Sequence, residues 1–284
     1  MSKFHKYFVD ILYSVSLKIL PFFYKKFKLK EKEIKKEVGK LFPVFIIGAP
    51  RTGSTFLYQA LTNEYELTYI DNIVNLFYKN LPLGVWISNK LFKNKKHSCF
   101  KSHYGNTMYY NLHAPNEAGN FWRRWIPRGL DYCDKDFLNA DQKLEIYNEI
   151  NTVINQTRMP LLFKNMNSGL RIPLLLDIFP KAKFIWIRRN KEKTIKSILK
   201  ARRELFGNEA VWWSIKPKNW KSLIGLHPEE QVKKQVSLIE AQIDKDTKNK
   251  LENVYEIDFE NLLDDKEKEL ENIAQFIYPE LVKK

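Results

Sequence analysis

Two patterns of apolar and polar positions divide the chain near residue 40. Residues 7–24 (YFVDILYSVSLKILPFFY) are apolar and aromatic, but Asp10, Lys18 and Pro21 interrupt them. A membrane-crossing helix needs roughly 20 apolar residues with few or no charges. A secretory leader needs a clean apolar run and a small-residue cleavage site. The stretch meets neither requirement. It fits a basic amphipathic helix, able to rest on a membrane surface or to pack on the domain behind it. Residues 25–40 (KKFKLKEKEIKKEVGK) read as a solvated charged helix or linker.

From Phe42 onward, short continuous apolar runs alternate with helical periodicity. Pro43–Gly48 (PVFIIG) has the pattern of a fully buried strand. A helix is predicted over Ser54–Thr62, a short strand over Leu67–Ile70 and a helix over 141–157. Leu161–Phe163 is a strand candidate ending at Lys164, and Ile172–Phe179 a helix stopped by Pro180. Ala182–Arg188 (AKFIWIR) is the clearest later strand, followed by a basic helix over Lys191–Arg203. A helix over 228–247 opens with Pro228 and has Glu229 and Glu230 in its first turn, where they suit the helix dipole. Val254–Phe259 is predicted as the last strand and 265–278 as the last helix. Strands alternating with helices imply an α/β fold, a parallel sheet with helices on both faces. No Gly/Ser linker marks a boundary, so 41–284 reads as one domain with a helical insertion at about 80–140, behind an arm of residues 1–40.

Composition narrows the class. In 284 residues, 44% hydrophobic and 29% charged positions fit a globular chain rather than a disordered one. Cys99 and Cys133 are too few for a disulfide framework or a cysteine-built zinc site, which fits a reducing cytoplasm. His5, His97, His103, His113 and His227 follow no metal-ligand spacing, so no metal is expected. The formal charge of +15 is uneven: +7 over residues 1–40, +14 over 41–226 and −6 over 227–284. An excess of this size suits an anionic partner: nucleic acid, an acidic membrane or a phosphorylated small molecule.

Two motifs favour the last of these. Gly48-Ala49-Pro50-Arg51-Thr52-Gly53-Ser54-Thr55 lies between a predicted strand and helix, and its glycines have the G-x-x-x-x-G spacing of a phosphate loop. Glycines let the backbone approach an anion, and the helix start offers unpaired N–H groups. A nucleotide triphosphatase would carry Lys where this chain has Ser54, so ATP hydrolysis is disfavoured. Arg51 is the turn's only cation, able to grip a terminal oxyanion group at two points. Further on, Arg189 closes a strand and Ser197 follows on the second turn of the next helix, a separation that lets both reach one phosphate.

PRTGSTFL resembles the 5′-phosphosulfate loop, PKSGTTxL or PRSGTTxL, of sulfotransferases that use 3′-phosphoadenylyl sulfate (PAPS). Arg189 and Ser197 resemble the same family's 3′-phosphate motif in spacing and chain order. FPKAKFIWIRRN and VYEIDFENLL are similar to its approach to that motif and its late strand, so the likeness runs from residue 43 to about 278. The resemblance implies a P-loop-like nucleotide-binding fold and PAPS as donor, with no metal required. It implies that Arg51, Thr52, Gly53, Ser54, Thr55, Phe56, Arg189 and Ser197 bind the donor, with Phe56 stacked on adenine. Lys164 matches a strand-end lysine about 25 residues before the 3′-site arginine.

Sulfuryl transfer builds negative charge on the leaving phosphate oxygen, so Arg51, Lys164 and the loop amides are expected to stabilise it. The acceptor must also lose a proton to a base. Cytosolic members place a histidine two residues after the lysine, whereas this chain has Met166. Asp71 is therefore the first candidate base, near the position of a catalytic glutamate in tyrosyl-protein-type members. Glu117 and His113 come next, and His103 is discounted because it precedes the third strand. Tyr104, Tyr109, Tyr110, Phe121, Trp122 and Trp125, with Arg123, Arg124 and Arg128, form an aromatic and basic stretch. Trp212, Trp213 and Trp220 form another. Such faces suit a sugar ring or lipid headgroup and also core packing.

The expected function is sulfuryl transfer from PAPS to a hydroxyl or amine of a carbohydrate, lipid or other small acceptor, in the cytoplasm, with the arm as a candidate membrane contact. The alternatives are a small-molecule kinase with an atypical phosphate loop, a non-catalytic nucleotide- or nucleic-acid-binding protein, and an inactive relative. KEKTIKSILKARR has no aromatic to stack on bases, which disfavours specific nucleic-acid binding.

Overall fold

The computed structural model describes residues 41–93, 95–108 and 110–284. The reading of residues 1–40 and the candidate Tyr109 lie outside the described residues. Five strands form one parallel sheet in the order β2-β3-β1-β4-β5. They are β1 Pro43–Ile47, β2 Thr68–Tyr69, β3 Leu161–Lys164, β4 Lys183–Arg188 and β5 Val254–Asp258.

The central strand shows why the sheet is sandwiched. All five residues of β1 are buried, and successive side chains of a strand point to opposite faces. Phe45 and Ile47 join one apolar cluster, and Val44 and Ile46 the other. On the first face, Phe45 stacks on its register partners Phe163 and Phe184 at centroid distances of 5.4 and 5.6 Å. Helices Ala140–Thr157 and Pro228–Thr247 close over it with Ile150, Val153, Ile239 and Ile243. On the second face, helices Ser54–Glu64 and Lys266–Ile277 contribute Leu57, Leu61, Ile273 and Ile277. A continuous apolar run suits this position because neither face meets water.

Several boundaries differ from the sequence expectation, each for a local reason. The strand expected over Leu67–Ile70 shrinks to Thr68–Tyr69, because β2 is an edge strand paired with β3 alone. Helix Asn72–Leu76 begins directly after it, capped by the Asp71 carboxylate on the Val74 amide. The final helix, Lys266–Ile277, lies where it is expected, but the last strand stops at Asp258 and an additional short helix, Phe259–Asp264, precedes the final one. Asp265 leaves helical geometry between them and caps the second through the Lys268 amide. The expected helical insertion contains helix Leu81–Phe92 and the single turn Gly119–Trp122; the other described residues of 93–139 have no helix or strand.

Because all strands run parallel, the ends of β1, β3, β4 and β5 open onto one edge of the sheet. Ligands of open α/β sheets bind at that edge, and a cleft of about 590 Å³ lies there.

Candidate active site

The turn after β1 is wound tightly against its neighbours. Gly48 has φ +148°, and a Cβ there would stand 2.4 Å from the Ile187 carbonyl oxygen of β4. Gly53 has φ +92°, and its Cβ would fall 2.1 Å from the ring of Phe259. Arg51 itself is left-handed at φ +68°, a conformation that costs a non-glycine residue about 1–2 kcal/mol. Thr52 ties the turn by donating from Oγ1 to the Ala49 carbonyl at 2.9 Å. The Ser54–Glu64 helix that follows has no side-chain cap, so the N–H groups of its first turn remain available to an anion.

Both phosphate motifs meet at this turn. Arg51 Nε donates to Ser197 Oγ at 3.0 Å, and Arg189 Nη1 donates to the Arg51 carbonyl at 3.1 Å. Burial, and after it the charge of Arg189, lower the Arg51 pKa below its usual value. Two adjoining cations of this kind are stabilised by an anion between them. The Nε of Arg189 is buried without a partner, a donor that a phosphate oxygen would satisfy. Tyr104 lies over the Arg51 guanidinium at 5.1 Å and packs edge-on to Trp213 at 5.8 Å.

A second group sits at the end of β3. Lys164 is 3% exposed and ion-pairs with Glu117, whose side chain is 44% exposed. Asn165 Nδ2 holds the Glu117 backbone carbonyl at 3.1 Å. Gly105 marks where the groups converge. A Cβ there would stand 2.7 Å from Glu117 Oε1, 3.3 Å from Lys164 Nζ and 3.5 Å from Thr55 Oγ1. A carboxylate open to the cleft, a buried lysine and the phosphate turn therefore share one small volume.

The sequence profile of the sulfotransferase family matches residues 43–280. The chain belongs to this family. Two relatives, the omega-hydroxy-beta-dihydromenaquinone-9 sulfotransferases Stf3 of Mycobacterium bovis and Mycobacterium tuberculosis, are each 27% identical over 168 residues. That match covers 52% of this chain and 42% of each relative, so the chain spans less than half the length of the relatives it matches. Among solved structures, sulfotransferase STF1 of Mycobacterium tuberculosis H37Rv superposes with a TM-score of 0.54 at 13% identity, covering 89% of this chain and 71% of that one. Sulfotransferase STF9 of Mycobacterium avium gives 0.52 at 12%, covering 87% and 66%. At such identities the likeness speaks for the fold.

Arg51, Gly53, Ser54, Thr55, Glu117, Lys164 and Arg189 all line the cleft of this sulfotransferase fold, and Ser197 joins them through Arg51. Thr52 is buried, so its side chain serves the turn. The structure does not bring Asp71 to the cleft. It is 1% exposed, caps a helix, and accepts hydrogen bonds from Ser88 Oγ at 2.5 Å and from His113 Nδ1 at 2.9 Å. With His113 it lines a separate cavity of about 190 Å³. The physical reason is the strand order: β2 is separated from β1 by β3.

Phe56 also faces away. It packs against the second apolar cluster and stands edge-on to Phe259 at 6.3 Å. Phe259, directly after β5, lines the cleft instead, with the Arg189 guanidinium 5.1 Å from its ring. The sequence places Phe259 at a strand end but gives no sign of its role; that role follows from β5 lying beside β4. His103 turns back on Asn106 and packs edge-on to Tyr104. Among the described residues no cluster of His, Cys, Asp or Glu could hold a metal ion. No helix among them is long and apolar enough to cross a membrane.

Proposed function

We propose that the chain transfers a sulfuryl group from 3′-phosphoadenylyl sulfate to a hydroxyl or amine of an acceptor and releases adenosine 3′,5′-bisphosphate. The meeting of Arg51, Ser197 and Arg189 carries this reading. It supplies adjacent cradles for the two phosphorylated ends of one nucleotide, a demand that ATP does not make. The residues fit the donor: the uncapped helix start and Arg51 suit its 5′ end, Arg189 and Ser197 its 3′-phosphate, and Phe259 an adenine face.

In the transfer, an acceptor oxygen or nitrogen attacks sulfur while the bond from sulfur to the bridging phosphate oxygen breaks. Arg51, Lys164 and the helix-start amides stabilise the charge that gathers on that oxygen. Glu117 takes the acceptor's proton, since it is the carboxylate open to the cleft beside Lys164. On donor binding, Lys164 exchanges part of its ion pair with Glu117 for the leaving oxygen, which frees the carboxylate to act as base.

Trp122, Ile126 and Trp213 also line the cleft. They suit an apolar or ring-bearing acceptor, and the hydroxylated menaquinone in the name of the Stf3 relatives is a molecule of that kind. Calorimetry without magnesium tests the donor site. Adenosine 3′,5′-bisphosphate should bind more tightly than ATP or an oligonucleotide. Arg51→Ala or Arg189→Ala should weaken it by about tenfold to a hundredfold, the worth of a charge-assisted hydrogen bond of roughly 1.5–3 kcal/mol. ATP binding that is tighter and requires magnesium would overturn the reading.

A further inference from the structure

The stretch between β2 and the cleft has a charge pattern that the transfer reaction does not use. Residues 72–116 contain six lysines and no Asp or Glu. Five of them, Lys90, Lys93, Lys95, Lys96 and Lys101, are exposed. The same stretch exposes large apolar side chains: Leu91 is 60%, Phe100 48% and Leu112 57% accessible, with Trp86 at 38%.

These side chains flank one stack of rings. Phe92 stacks on His113 at 4.1 Å, His113 meets His97 edge-on at 6.3 Å, and His97 lies 5.5 Å from Phe100. Leu91 and Leu112 adjoin the first two rings in sequence, and the Lys95 carbonyl bonds His113 Nε2 at 3.0 Å. Lys96 ion-pairs with Glu64 at 3.4 Å, and among the described residues the other four of these lysines have no ion pair. Apolar side chains ringed by lysines form the pattern of a surface that enters the headgroup boundary of an acidic bilayer.

We infer that the exposed Lys90, Lys93, Lys95, Lys96 and Lys101, with Leu91, Phe100 and Leu112, form a docking face for an anionic lipid bilayer. A second copy of the chain is a poor occupant, because a two-fold contact would set two faces with a strong lysine excess against each other. Beyond Lys101 the same segment runs straight into Ser102, Tyr104 and Gly105, which line the cleft. Docking by this face therefore sets the rim of the cleft beside the membrane. The inference goes beyond the donor reading and needs no nucleotide, so either can fail alone.

Vesicle flotation of the full chain tests it. Phosphatidylcholine vesicles are compared with vesicles in which roughly a third of the lipid is phosphatidylglycerol, at low and high salt. Each nearby lysine contributes about fivefold at an acidic surface. Binding should thus require phosphatidylglycerol, weaken with salt and fall at least tenfold in Lys90→Gln/Lys93→Gln/Lys95→Gln. A second variant, Leu91→Ser/Phe100→Ser/Leu112→Ser, should lose binding even at low salt. The exposed Lys248→Gln/Lys250→Gln should bind like the parent, and thermal melts confirm that every variant is folded. No flotation of the parent overturns the inference. Equal flotation of parent and face variants also does so and assigns binding to residues 1–40. A vesicle-independent dimer that the face variants dissolve overturns it in favour of self-association.

Discussion

The two walls of the cleft are built by different means. On one wall, Arg51 and Arg189 follow the ends of β1 and β4, Ser197 lies on the second turn of the helix after β4, and they bond one another directly. On the other wall, Tyr104, Gly105 and Glu117 come from the irregular stretch between helix Leu81–Phe92 and the turn Gly119–Trp122. That stretch is held by side chains reaching across from elsewhere: Asn165 on the Glu117 carbonyl, Gln59 on the Lys101 carbonyl and Asn63 on the His97 carbonyl. The first wall is fixed by backbone pairing. The second can shift whenever a few polar contacts do.

The largest test of this contrast is a pair of carboxylates. Glu117→Gln should lower kcat by about 10²–10⁴-fold, the usual worth of a positioned base, with bisphosphate affinity little changed. Asp71→Asn should spare kcat and lower unfolding free energy by about 1–3 kcal/mol, because it weakens the bonds from Ser88 and His113. Steady-state kinetics and denaturant midpoints separate the two. A kcat loss confined to Asp71→Asn would return the base role to that residue.

Next comes the strand-end wall. Gly53→Ala places a Cβ against the Phe259 ring and strains a left-handed residue, so bisphosphate affinity should drop about 5- to 30-fold for a cost of about 1–2 kcal/mol. Unchanged calorimetric affinity would mean that the turn adapts and the wall is not rigid. A smaller effect is expected at the aromatic pair. Phe259→Leu should weaken the bisphosphate by about fivefold or more, given 1–3 kcal/mol per stacked base. Phe56→Leu should leave affinity unchanged and show itself only in a melt. The reverse order would place adenine on Phe56.

The smallest effect is a pH dependence of the second wall. Burial holds the His97 pKa down at about 4, below the ordinary 6.5. Its Nε2 lies 3.0 Å from Thr62 Oγ1 and 3.1 Å from the Gln59 carbonyl, and its Nδ1 is buried without a partner. The unfolded chain takes up a proton near pH 6.5 and the folded chain only near 4. The stabilisation is therefore complete above about pH 6.5 and is lost as pH falls toward 4. Hydrogen exchange across 93–118 should rise between pH 6.5 and 4.5 before that of β1, and His97→Gln should flatten the trend. Exchange that rises in β1 first would reverse the assignment of the weaker wall.

The same contrast explains what the sequence discloses. The phosphate turn, the Arg189–Ser197 pair and Lys164 are legible because each sits at a strand end, where an apolar run stops and a short motif begins. The alternation of strands and helices likewise carries the parallel sheet and its two covered faces. Asp71 also sits at a strand end, yet strand order, which no local pattern encodes, puts β3 between it and the phosphate turn. Glu117 is a candidate in the sequence, but its place beside Lys164, like that of Phe259 beside Arg189, comes from an irregular crossing and from the docking of β5 on β4. Helix Leu81–Phe92 went unread because its pattern is apolar around much of its girth: Leu81, Leu83 and Val85 are buried, whereas Trp86 and Leu91 are exposed.

The position of β1 has a consequence for how the chain is made. Its partner Phe184 lies far along the sequence from Phe45. At about 5–20 residues per second, a ribosome needs on the order of 10 s to supply β4. For most of that interval, until β3 is made, an all-apolar strand and its glycine turn stand complete but unpaired. Contacts so distant in sequence slow folding and leave sticky segments exposed. A newly made chain is thus most exposed to aggregation, and most in need of chaperone shelter, through this strand and the turn that later lines the cleft.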